Sequence, residues 1–132
     1  MSWEGKMPRR ILIVDDDILV LDALRELLVA DDYEVLTAAR GQEALDILQR
    51  EHVDLVILDL IMPKMTGLDV CKQVRTWKDE KSRVKIIMLS AKSEPGKQAI
   101  REEAEYDLYL TKPIDPLRLK ELIHSTLGDL PQ

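Results

Sequence analysis

Five side chains able to act together are scattered along this chain, and each follows a largely apolar run. Asp15 and Asp16 follow residues 11–14, Asp59 follows 53–58, Ser90 follows 84–89, and Lys112 comes two residues after 108–110. In an open parallel sheet the ligand crevice lies outside the carboxyl ends of the strands. Polar groups at four such ends therefore converge, however far apart they are in sequence. Pairs of carboxylates at 4 Å repel by roughly 4 kcal/mol at an effective dielectric of about 20, so three acids together need a cation or protons. Mg²⁺ suits them, because it takes one or two carboxylates together with water and phosphate oxygens. Asp59, alone at the end of the most continuous apolar run, is placed to act as a nucleophile toward a phosphoryl group. Lys112 supplies a second cation and Ser90 a hydroxyl donor for the charge on the transferred oxygens.

Holding these groups requires alternating elements. Short apolar runs are separated by segments whose apolar residues recur at three and four, which is βα repetition and predicts a parallel sheet covered by helices on both faces. The first helix has Val20, Leu24, Leu27 and Leu28 inward, with Asp17 as its cap and Asp31-Asp32 closing it. A second, more exposed strand spans 33–38, and helices are expected over 41–50, 67–78 and, least convincingly, 96–103. The last helix has Asp115 in capping position, Pro116 in its first turn, Leu119, Leu122 and Ile123 inward, and Gly128 at its end. Residues 1–9 read as a leader outside the fold, 10–128 as one domain, and 129–132 as a tail.

Composition narrows the function. The chain has 132 residues, enough for one buried core, and a net charge of -6, which gives no support to binding of nucleic acid or anionic lipid. One cysteine and two histidines assemble no zinc motif and no internal disulfide, so a reducing cytoplasmic setting is expected. No run reaches the eighteen or so apolar residues of a membrane span. Cys71 reads as core packing, and His52 and His124 as solvated.

The stretches ILIVDDD, DLVILDLIMPKMTGLDV, IIMLSAK and YLTKPID resemble, in order and spacing, the receiver domain of two-component response regulators. The resemblance implies a flavodoxin-like (βα)5 fold with strand order 2-1-3-4-5. It implies that Asp59 is the phosphoacceptor for a sensor histidine kinase or phosphotransfer protein. By the same resemblance Asp16 is the direct Mg²⁺ ligand, Asp15 its companion acting largely through water, and the backbone carbonyl of Ile61 a further ligand beside Asp59. Lys112 pairs with Asp59, Ser90 bonds a phosphoryl oxygen, and Tyr109 is the aromatic switch. Pro113 is a candidate for a cis bond after Lys112, and Gly67 relieves crowding beside Asp59.

A receiver is a switch that catalyses only its own phosphotransfer and the hydrolysis of its aspartyl phosphate. It controls an output domain or downstream protein, and the resemblance leaves open a homodimer through the fourth helix, fifth strand and fifth helix. Two features depart from the family. Glu105-Tyr106 stands where receivers often have Gly-Ala, and Ile61 and Lys92 flank the path of attacking water, Ile61 without a hydrogen bond to offer it. The alternative is a receiver-like interaction module that works without phosphorylation. A haloacid-dehalogenase-like phosphatase would need an acid where Ile61 stands, and a flavin carrier would not place three aspartates against a phosphate.

Overall fold

The computed structural model describes residues 8–92, 94 and 105–128. In chain order the elements are β1 (Arg10–Val14), α1 (Ile18–Val29), β2 (Glu34–Ala38), α2 (Gly41–Arg50), β3 (Leu55–Leu58) and α3 (Gly67–Arg75). There follow a 3₁₀ turn (Glu80–Arg83), β4 (Lys85–Ser90), β5 (Leu108–Thr111) and α4 (Pro116–Leu127). The five strands pair in parallel in the order β2-β1-β3-β4-β5, as expected.

Successive side chains of a strand point to opposite faces, so each central strand feeds two cores. Leu12, Val14, Val56, Leu58, Ile86 and Met88 meet α2 and α3 through Ala44, Leu48, Val70, Cys71 and Val74. Ile11, Ile13, Leu55, Ile57, Ile87 and Leu89 meet α1 and α4 through Leu21, Leu28, Leu119 and Ile123. Burial on both faces explains why β1, β3 and β4 read as continuous apolar runs, whereas the edge strands β2 and β5 are only partly buried.

Several boundaries differ from expectation. The helix expected over 67–78 ends at Arg75, because Trp77 N–H turns to the Val74 carbonyl and the chain then forms the 3₁₀ turn. β2 starts at Glu34 and β3 at Leu55, each after a buried anchor, Tyr33 and Val53. In α1 the buried positions are Leu21 and Leu28, with Val20 only half-buried. Asp17 caps α1 by accepting from Leu19 N–H at 3.0 Å, whereas Asp115 occupies the cap position of α4 without a side-chain bond. Gly128 ends α4 at φ 76°, in the left-handed region that glycine tolerates. The helix expected over 96–103 lies outside the described residues.

Candidate functional site

The sheet ladder continues past the strand ends and fixes the site residues in register. Val14 pairs with Leu58, and the next residues are Asp15 and Asp59. Asp59 N–H donates to the Val14 carbonyl at 3.0 Å, and Asp15 N–H to the Ala38 carbonyl at 3.1 Å. On the other side Ser90 pairs with Thr111, and Lys112 N–H donates to the Ser90 carbonyl at 2.7 Å. The backbone alone therefore delivers two acids, a hydroxyl and an ammonium to one edge.

Their side chains meet there. Asp15, Asp16 and Asp59 each offer a carboxylate oxygen within 4.8 Å of the others, with Asp15 and Asp59 buried and Asp16 exposed. Lys112 Nζ lies 2.6 Å from Asp15 Oδ2 and 3.8 Å from Asp59 Oδ2. The expected Lys112–Asp59 pair is thus present but secondary to Asp15. Burial and the Asp15 charge push the pKa of Asp59 up, against the opposing effects of the Ile61 N–H, Lys112 and Ser90. Ile61 N–H donates to Asp59 Oδ1 at 3.2 Å, leaving Oδ2 turned to the lysine. Among the described residues one ammonium faces three acids, and a set of hard oxygen donors so placed fits a small divalent cation.

Gly67, at the start of α3, is where the loop folds back onto the acid. A Cβ there would stand 2.2 Å from the Asp59 carbonyl oxygen, and Gly67 N–H donates to the Leu60 carbonyl at 3.0 Å. Thr66 and Asp69 form a reciprocal capping box that fixes the turn. The Lys112-Pro113 bond is cis, as the resemblance implies.

Tyr109 lies on β5 with its hydroxyl donating to the Lys92 carbonyl at 2.6 Å. Burial raises its pKa, with Asp59 and Glu94 adding to the rise and a hydrogen bond with Ser90 opposing it, so the ring's polar tip faces the site. Ser90 is fully buried and its Oγ accepts from Lys92 N–H at 3.3 Å.

Residues 11–124 match the family described as the response regulator receiver domain. The chain belongs to that family. It is 41% identical over 119 residues to a probable transcriptional regulator ycf27 of Cyanophora paradoxa, covering 90% of this chain and 48% of the relative. It is 36% identical over 121 residues to the alkaline phosphatase synthesis transcriptional regulatory protein PhoP of Bacillus subtilis, covering 92% and 49%. The receiver thus spans about half the length of these curated relatives. Among solved structures, a CheY-like receiver domain protein of Methanospirillum hungatei superposes with a TM-score of 0.84 at 30% identity, covering 92% of this chain and 95% of that one. The response regulator TrrA of Thermotoga maritima, solved in complex with Mg²⁺-BeF, superposes with a TM-score of 0.79 at 36% identity, covering 89% and 98%. The chain is therefore a signalling receiver. Among the described residues no helix is long and apolar enough to cross a membrane.

Two groupings escaped the reading of the sequence. Arg75, in the last turn of α3, donates to the carbonyls of Glu105 at 2.9 Å and of Ser82 and Val84 at 2.8 Å each, clasping the chain just before β5. His124, expected to be solvated, is half-buried, with Nε2 3.2 Å from Asp31 Oδ2 and Nδ1 3.4 Å from the Tyr33 hydroxyl. His52 is exposed as expected, with Nε2 2.9 Å from Asp54 Oδ1.

Proposed function

We propose that this receiver takes a phosphoryl group from the phosphohistidine of a partner kinase onto Asp59. The observation that carries the reading is the triad of carboxylates within 4.8 Å, joined by the ammonium of Lys112 at the carboxyl edge of the sheet. Asp59 Oδ1 is held by Ile61 N–H, so Oδ2 is the attacking oxygen. The P–N bond to the donor imidazole breaks as the Oδ2–P bond forms, and the imidazole leaves as the neutral ring after taking a proton.

Mg²⁺ is supported by the donor set and by its presence with BeF in the TrrA structure. Asp16, Asp15 and Asp59 would hold it with the Ile61 carbonyl, and when bound it neutralises charge on the phosphoryl oxygens. Lys112 then bonds one phosphoryl oxygen and Ser90 another. Drawing Ser90 toward the phosphate lets Tyr109 follow, which shifts a two-state equilibrium and changes the face of β5 and α4 that an output domain reads. Residues 96–103, which the family resemblance adds to that face, lie outside the described residues.

The exposed Ile18 and Leu19 directly after the acids, and Leu117 on α4, give an apolar rim on which a kinase can dock in the cytoplasm. Hydrolysis of the aspartyl phosphate is slow, because the exposed Ile61 side chain offers the attacking water no hydrogen bond. Ile61→Asn should speed the loss of phosphate several-fold.

The deciding experiment is incubation with Mg²⁺ and acetyl phosphate followed by intact mass measurement. One labile phosphoryl adduct is expected. No adduct, or an adduct on Asp59→Asn, overturns the assignment. Light scattering of the same samples tests for a phosphorylation-dependent homodimer.

A further inference from the structure

Tyr106 stands three positions before Tyr109, at a place where receivers often have a small residue. The substituted ring is built into the fold. Tyr106 is 4% exposed, packs with the core under α2 and α3, and its hydroxyl donates to the Glu94 carboxylate. Its ring lies against that of Tyr109, with centroids 5.8 Å apart and planes inclined by 58°. Tyr109 in turn donates to the Lys92 carbonyl, and Lys92 N–H donates to Ser90 Oγ. Both tyrosines therefore reach from the start of β5 back to the residues that follow β4, and their rings touch on the way.

We infer that Tyr106 is a positioning residue for the phosphoryl site: by packing on Tyr109 it holds that ring turned toward Ser90 and so favours the phosphoryl-bound arrangement before phosphate arrives. Swinging Tyr109 out to solvent would forfeit the tilted ring contact, which normally adds to the gain from area burial alone. Whatever favours the inward ring also favours the ligand that selects it, and the coupling is reciprocal. Arg75 supports the device from the other side, since its bond to the Glu105 carbonyl fixes the residue next to Tyr106.

The inference rests on the reading of Asp59 as phosphoacceptor, and the test separates the two. BeF₃⁻ binding at saturating Mg²⁺ is measured by calorimetry for the wild-type chain, Tyr106→Ala and Tyr106→Leu, with urea unfolding to confirm that each is folded. Tyr106→Leu keeps an apolar side chain in the core and serves where the alanine variant does not fold. The Tyr109 environment is read by fluorine NMR of 3-fluorotyrosine, the chain having only three tyrosines. Loss of the ring should weaken BeF₃⁻ binding roughly two- to tenfold and shift the Tyr109 resonance, and the effect should vanish in a Tyr109→Leu background. Unchanged affinity and resonance, or an equal loss in the Tyr109→Leu background, overturns the positioning role alone. A wild-type chain that binds no BeF₃⁻ overturns both readings.

Discussion

The ammonium of Lys112 belongs first to Asp15, at 2.6 Å, and only second to Asp59, at 3.8 Å. Any divalent cation entering the cluster must compete with that ammonium for Asp15. Lys112→Ala should therefore retain the fold and bind Mg²⁺ more tightly, by roughly fivefold, the scale of about 1 kcal/mol for one partly screened charge contact. The rise in Tm with added Mg²⁺ measures it. The same variant, once phosphorylated, should show no change in the Tyr109 environment.

Asp59 is buried beside a like charge, and its pKa is raised by both. The folded state therefore holds this proton more tightly than the unfolded chain, and stability is lost as pH climbs from the unfolded value through the folded one. Asp59→Asn removes that penalty. Without Mg²⁺ the variant should be more stable than wild type at pH 7 by about 1 kcal/mol or more, with the difference closing at acid pH. Urea titrations at two pH values check both parts.

Gly67 has no room for a methyl group, because the obstacle is the Asp59 backbone carbonyl and not a flexible side chain. Gly67→Ala should cost about 1 to 3 kcal/mol and displace Asp59, so phosphorylation by acetyl phosphate should fall more than stability does. Denaturation and intact mass on one preparation separate the two effects.

Glu105 has φ 37°, a left-handed conformation that costs an L-residue about 1 to 2 kcal/mol. Glycine relieves the strain but gives the unfolded chain more freedom, which offsets about half of the gain. Glu105→Gly should stabilise by a net of about 0.5 kcal/mol, read as a shifted urea midpoint with unchanged slope.

Cys71 is fully buried, and burial pushes its thiol up to about 11. The native protein should react very slowly with iodoacetamide at pH 8 and rapidly once unfolded. The raised value makes stability fall as pH rises from the ordinary thiol value of 9.0 toward 11. Cys71→Ala should remove that slope.

The strands are legible in the sequence because chemistry-bearing residues end apolar runs, and Asp15, Asp59, Ser90 and Lys112 come to one edge of the sheet. The Asp31–His124–Tyr33 contacts are not legible there, because His124 lies 93 and 91 residues along the chain from its partners and shares no local periodicity with them. The Arg75 clasp was equally hidden, since its targets are backbone carbonyls that carry no residue identity. Glu105-Tyr106 stood out as a departure, but its meaning required the φ angle of one residue and the ring contact of the other. The end of α3 at Arg75 is not legible because Trp77 and Lys78 look compatible with a helix, whereas Trp77 N–H turns back to the Val74 carbonyl.

The strand order has a consequence for how such a chain can diversify. Asp15 and Asp59 directly follow β1 and β3 in the interior of the sheet, strands with ladders on both sides, whereas Tyr109 sits on β5, which among the described residues pairs with β4 alone. Displacing an outermost strand disturbs half as many interstrand bonds as displacing an inner one. The carboxylate cluster is thus anchored between inner strands, while the Tyr109 ring rides on an outermost one. A substitution on that outer strand can therefore alter the Tyr109 surroundings with the ladders around Asp15 and Asp59 left in place.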